Sequence, residues 1–151
     1  MNLKLSDKGK MMFYKEIKVK KILYAFILKK DFSKHGLTFL TPDSYALQLG
    51  FWHLDDGTRL KSHICNQKKI IIERTQELIH VLAGSLKVSI YKENGELIES
   101  FIAKNGDTVF HAKGEHGYEI LEKGTKVIEI KNGPFKKEKT DKSVNGLSLC
   151  L

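Results

Sequence analysis

Residues 59–65 read Arg-Leu-Lys-Ser-His-Ile-Cys, with a cation, an imidazole or a thiol at every second position. Alternate residues of a strand share a face. Arg59, Lys61, His63 and Cys65 would then fall on one side, and Leu60, Ser62 and Ile64 on the other. Such a face either lines a polar cavity or stands in solvent on an edge strand. The next carboxylate on a strand-like run is Glu77, heading Glu-Leu-Ile-His-Val-Leu-Ala-Gly. Its parity groups Glu77 with Ile79 and Val81, and sends His80 to the opposite face with Leu78 and Leu82. A carboxylate on an apolar strand is costly to bury unless it is paired or holds a metal. Further on, Gly114-Glu115-His116-Gly117 sets a histidine in what reads as a tight turn. A histidine, a thiolate or second histidine, a carboxylate and a further histidine form a donor set for Fe, Zn, Mn or Ni. Competing readings are an ion pair from Glu77 to Arg74 or Lys61, a turn-capping role for His116, and Cys65 as a small buried hydrophobe. His80 is expected on an outer or interface face, and His35, His53 and His111 are not assigned to the site.

The elements that must position these groups are short. Gly84, Asn94-Gly95, Asn105-Gly106, Gly114, Gly124 and Asn132-Gly133-Pro134 punctuate the chain at intervals of about 9–11 residues, the spacing of short strands in a sandwich or barrel. Asn-Gly also favours the positive-φ turn of a two-residue hairpin. Between the breakers, residues 86–91, 97–103, 108–111 and 127–130 are rich in Val, Ile, Phe and Tyr. No segment after residue 35 carries a helical period, so the chain reads as all-β. Residues 13–28 read as one or two strands, with Ile17 and Val19 alternating against Lys18 and Lys20. Residues 1–10 read as loose, and Met11 or Met12 is a candidate start. The expected organisation is a basic arm over 1–30, a β-barrel over 31–135 and a flexible tail over 136–151, whose apolar end either frays or covers a partner.

Composition bounds the function. At 151 residues, the chain fits the length of one domain, about 100–200 residues. Its 41% apolar and 29% charged content argues against a disordered, collagen-like or membrane-bundle protein. The net charge of +8 is peripheral: residues 1–30 carry +7, 131–142 carry +3 and 31–130 carry −2. Arg59 and Arg74 are the only arginines among the 26 basic residues. Sequence-reading nucleic-acid proteins lean on bidentate arginine, so no nucleic-acid partner is expected. Cys65 and Cys150 do not make a disulfide framework, which points to a reducing cytoplasm. The longest apolar run, Ile22–Leu28, is far short of the roughly 20 residues that span a bilayer. Lys29-Lys30-Asp31 follows it with no signal-peptide cleavage pattern, so a buried strand is expected there.

Gly57, His63, Cys65, Glu77 and Gly84 together resemble the first conserved motif of the cupin superfamily, G-x5-H-x-H-x(3–4)-E-x6-G. Gly106, Gly114 and His116 resemble the second, G-x5-P-x-G-x2-H-x3-N. Cys65 stands in place of the second histidine, eleven residues separate it from Glu77, and Ala112 replaces the proline. The resemblance spans about residues 45–131. The string Glu-Arg-Thr-Gln-Glu at 73–77, the Gly-Glu-His-Gly turn and the ending over 129–135 look like the small single-domain WbuC-type cupins of bacterial surface-polysaccharide gene clusters. The resemblance implies a jelly-roll-like double-stranded β-barrel holding a divalent transition metal. Its ligands would be His63, Glu77 and His116, with Cys65 as a fourth or as a vacant position. It also implies a homodimer, for which the apolar strand Ile22–Leu28 offers a contact edge.

On this reading the protein acts on a small anionic molecule such as a sugar or sugar nucleotide. Arg59, Lys61 and Arg74 would grip carboxylate or phosphate beside a Lewis-acid or dioxygen-binding metal. A second expectation is a metal-free isomerase or epimerase of nucleotide-linked keto-sugars. There His63 would remove a proton next to a carbonyl, and Tyr118 or Tyr91 would return one. A non-catalytic sugar-binding module and a purely structural protein complete the alternatives.

Overall fold

A computed structural model of the chain describes residues 13–133. The expectations placed on residues 1–12 and on the tail beyond residue 133, Cys150 included, lie outside the described residues.

All regular structure among the described residues is β-strand. The chain opens with a hairpin, β1 (Tyr14–Val19) and β2 (Ile22–Leu28), turned at Lys20 with φ of 55°. A second hairpin follows, β3 (Gly36–Phe39) and β4 (Gly50–His53). After residues 54–76, which hold no strand, come β5 (Glu77–Ala83), β6 (Ser85–Tyr91), β7 (Leu97–Lys104), β8 (Thr108–His111), β9 (Glu115–Ile120) and β10 (Lys126–Lys131). The runs expected at 86–91, 97–103, 108–111 and 127–130 are thus strands to within a residue at either end. No helix of the described residues is long and apolar enough to cross a membrane.

The strands of the described residues form three antiparallel sheets that do not join into a closed barrel. The orders are β1-β2-β8-β5-β10, β7-β6-β9 and the isolated β3-β4 pair. The first two pack face to face. Ile17, Ala25, Ile27, Ile79, Val81 and Val109 from the five-stranded sheet meet Leu86, Val88, Ile90 and Ala103 from the three-stranded one in a single buried cluster. Alternation in β2 sends Phe26 the other way, against Phe110, Leu78 and Ala112, where Leu40, Tyr45, Leu47 and Leu49 cover it. β2 is therefore apolar on both faces because both are covered.

Consecutive strands repeatedly change sheet. β5 passes to β6 through Gly84, whose φ of 73° and whose approach to Thr125 leave no room for a side chain: a Cβ there would meet the Thr125 Cα at 2.9 Å. Asn94-Gly95 turns the β6–β7 hairpin as expected, whereas Asn105-Gly106 carries the chain from the second sheet back to the first.

Two expectations are corrected here. Residues 59–65 are not a strand: they are exposed, with Leu60 at 55% and Ile64 at 91% exposure. Alternation is a local property, but a strand also needs a ladder partner, and this segment has none among the described residues. Nor does β2 offer an edge to a second subunit, because β1 and β8 occupy both of its edges.

Candidate metal centre

Register brings the chemistry together at one end of the sandwich. Glu77 begins β5, where Gln76 and Asn132 exchange bonds: the Gln76 amide donates to Asn132 Oδ1 at 2.7 Å, and the Asn132 amide donates back to the Gln76 carbonyl. β5 pairs with β8 so that Glu77 lies opposite His111 and Ile79 opposite Val109. Both site residues therefore share the inward face of the sheet with the core. Across the gap, β9 pairs with β6, setting His116 opposite Ile90 and Tyr118 opposite Val88. Since Ile90 and Val88 face the core, His116 and Tyr118 point at the first sheet.

His116 therefore sits in a strand, one residue beyond its first position, and not in the tight turn expected of Gly114 to Gly117. Only Gly114 belongs to the turn. Its φ is 80°, and a Cβ there would lie 2.3 Å from the Tyr91 carbonyl oxygen and 2.7 Å from the Tyr24 ring. The close passage over Tyr24 and Tyr91 starts β9 in the register that aims His116 inward.

Four side chains converge. The Tyr118 hydroxyl lies 2.8 Å from Glu77 Oε1 and 2.7 Å from His111 Nε2. His116 Nε2 lies 3.3 Å from the same Glu77 oxygen. The two imidazoles stack, with centroids 4.1 Å apart and planes 20° apart. One ligand atom from each of Glu77, His111 and His116 lies within 4.8 Å of the others.

The environment fixes the protonation states. Burial by itself would raise the Glu77 carboxyl, but the hydrogen bond and charge of His116, with the Tyr118 hydrogen bond, outweigh it and hold the group at about 2. His111 is pushed down to about 3, first by burial and then by the neighbouring His116 charge. The Tyr118 phenol is raised by burial of its hydroxyl and by the facing Glu77 charge. At neutral pH the site thus holds a carboxylate, a neutral imidazole and a neutral phenol.

Proton counting then sets the tautomer. An ionised Glu77 can only accept, so the single Tyr118 hydrogen goes to Glu77 Oε1. The Tyr118 oxygen must in turn accept from His111 Nε2–H. That leaves Nδ1 of His111 as a bare lone pair, and this atom is buried with no hydrogen-bond partner among the described residues. A buried acceptor without a partner is costly. The donor set itself, one carboxylate and two imidazoles with ligand atoms within 4.8 Å of one another, fits a divalent transition metal held by two histidines and a glutamate. His111 offers Nε2 to it, the nitrogen that faces Glu77 across the Tyr118 hydroxyl. In-plane lone pairs of stacked rings do not converge, so joint ligation requires His116, whose side chain is 28% exposed, to turn out of the stack.

The other sequence-derived candidates lie elsewhere. His63 and Cys65 are exposed in residues 54–76; His63 Nδ1 lies 3.2 Å from the Lys61 carbonyl oxygen, and neither residue joins the cluster. Arg59, Lys61 and Arg74 are likewise exposed in that segment. His80 faces away from Glu77 and pairs with Thr108 Oγ1 at 2.9 Å. His111 is the participant that the spacing argument passed over. The available signal was its parity with Val109 at the end of an apolar strand, but nothing local says that this strand lies beside Glu77. Comparison of the chain with protein-family models, curated proteins and solved structures finds no match.

Proposed function

We propose that this chain is a metal-binding protein of the cupin type, acting on a small anionic molecule such as a sugar or sugar nucleotide. The observation that carries the reading is the convergence of Glu77, His111 and His116, with ligand atoms within 4.8 Å of one another. A bound metal would supply Lewis acidity or a site for dioxygen. The chain's own groups do the rest. Glu77 stays ionised and holds the Tyr118 hydroxyl, while Tyr118, a residue 39% exposed, presents a neutral phenol to the site. The cations Arg59, Lys61 and Arg74 stand in the segment leading into β5, where they can meet an anionic ligand from solvent.

Elemental analysis of the full chain, purified without chelator, tests this. Near-stoichiometric metal is expected, lost in Glu77→Ala and in His111→Ala and kept in His63→Ala. Metal absent from the wild type after reloading, or lost only with His63, would sink the assignment.

The contact of Tyr118 with both Glu77 and His111 favours a second reading, metal-free proton transfer on a carbonyl substrate. Solvent deuterium incorporated into a nucleotide-linked keto-sugar by chelator-treated protein, and abolished in Tyr118→Phe, would select it.

A further inference from the structure

We infer that the Tyr118 hydroxyl is a placeholder: it fills the metal position of the resting site and is displaced when metal binds. The inference rests on the metal reading above and adds to it a built-in competitor. The hydroxyl lies 2.8 Å from Glu77 Oε1 and 2.7 Å from His111 Nε2, within hydrogen-bond reach of two of the three groups that would ligate an ion. Metal–ligand distances of about 2.0–2.2 Å draw oxygen and nitrogen closer together than a bridging hydroxyl allows. An ion on Glu77 Oε1 and His111 Nε2 therefore takes the space the hydroxyl now fills, the imidazole proton moving to Nδ1.

The alternatives open to Tyr118 are narrow. The residue is 39% exposed while its hydroxyl bonds to the buried Glu77 and His111, so the side chain borders solvent. Its ring sits 5.7 Å from the His111 centroid at 70° and 5.4 Å from His116 at 51°, edge-on or tilted contacts that do not clamp it as the imidazole stack is clamped. Strand β9 is an edge of its sheet, and among the described residues no further strand pairs with it from that side. In the metal-free protein the same hydroxyl gives Glu77 a donor, where His116 would otherwise be the carboxylate's one side-chain partner among the described residues. Loading the metal must break these bonds.

The test is calorimetric titration of Zn(II) into the chelator-stripped full chain, wild type against Tyr118→Phe, with ultraviolet difference spectra recorded during the titration. Removing the hydroxyl removes the competitor, so Tyr118→Phe is expected to bind about tenfold tighter or more, the scale of a lost hydrogen bond to a charged group. In the wild type, one equivalent of metal should perturb a neutral tyrosine band, and that signal should vanish in Tyr118→Phe. Weaker binding by the variant, with a phenolate band in the wild type, would make Tyr118 a ligand and overturn the proposal. Equal affinities overturn it too. If Zn(II) binds neither protein, nor binds when Fe(II) or Mn(II) is substituted, the metal reading itself fails and the placeholder with it. Should Tyr118→Phe not fold, the wild-type spectrum decides alone: no tyrosine perturbation at one equivalent refutes displacement.

Discussion

Mild acid should destabilise this protein through one residue, His111. Its imidazole is held down to about 3 in the folded state, against an ordinary 6.5, because burial and the His116 charge disfavour protonation. The unfolded chain therefore binds a proton that the folded chain refuses. For a depressed folded value, the stabilisation is complete above 6.5 and is lost as pH falls toward 3. Each pH unit inside that window costs about 1.4 kcal/mol, so lowering pH from 7 to 5 removes about 2 kcal/mol. Glu77 does not blur the result: its carboxyl is held at about 2 against 4.5, so its stabilisation is intact above 4.5 and is lost only below. The assay is urea denaturation of chelator-treated protein at pH 7 and pH 5, for the wild type and His111→Gln. Glutamine keeps an N–H for the Tyr118 oxygen and has nothing to titrate. The variant should lose about 2 kcal/mol less than the wild type over this interval. Equal losses would refute the argument. So would an NMR titration of the wild type in which the His111 ring protonates near pH 6.

Two further substitutions probe the elements that hold the site. Gly114→Ala should cost about 3 kcal/mol or more, since it combines a left-handed φ with a backbone oxygen 2.3 Å from the new Cβ; Gly124→Ala, at a similar φ of 83° but in open space, should cost about 1–2 kcal/mol. Matched unfolding midpoints for the pair would remove the role given to the Gly114 crossing. Asp107→Ala should cost about 2–4 kcal/mol, because the buried carboxylate accepts from Lys29 Nζ at 2.7 Å, the Lys30 amide at 3.1 Å and the Lys104 amide at 2.9 Å. Chemical denaturation showing a change under 1 kcal/mol would discount that network, an order-of-magnitude threshold set by the same costs.

What the sequence made legible was local. β-Branched runs between Gly and Asn-Gly breakers identified β6, β7, β8 and β10, since both strand propensity and turn chemistry act over a few residues. The strand β9 escaped because Glu-His-Gly-Tyr-Glu-Ile carries a glycine and two carboxylates, and its ladder partner β6 is distant in sequence from any local signal. The alternation at 59–65 misled for the opposite reason: the pattern suits a strand, but no neighbouring strand pairs with it. Parity placed Glu77 on the core side and His80 on the other, yet parity names a face and not a neighbour. Register made His111 the residue opposite Glu77, and register depends on which strands meet.

The site is consequently a property of the packing between sheets. Glu77 and His111 come from one sheet, His116 and Tyr118 from the other, and the apolar cluster of Ile79, Val109, Val88 and Ile90 directly adjoins them in the same strands. A change in sheet spacing of about 1 Å would take the Tyr118 hydroxyl out of hydrogen-bond range of Glu77 and His111 together. Both bonds share one oxygen, so they cannot fail separately by that movement. Buried side chains at this boundary therefore set the geometry of the centre as firmly as the polar residues do. Substitutions such as Val88→Ala act on it without touching any ligand atom. Stability and metal affinity should fall together there, whereas in Tyr118→Phe they should part.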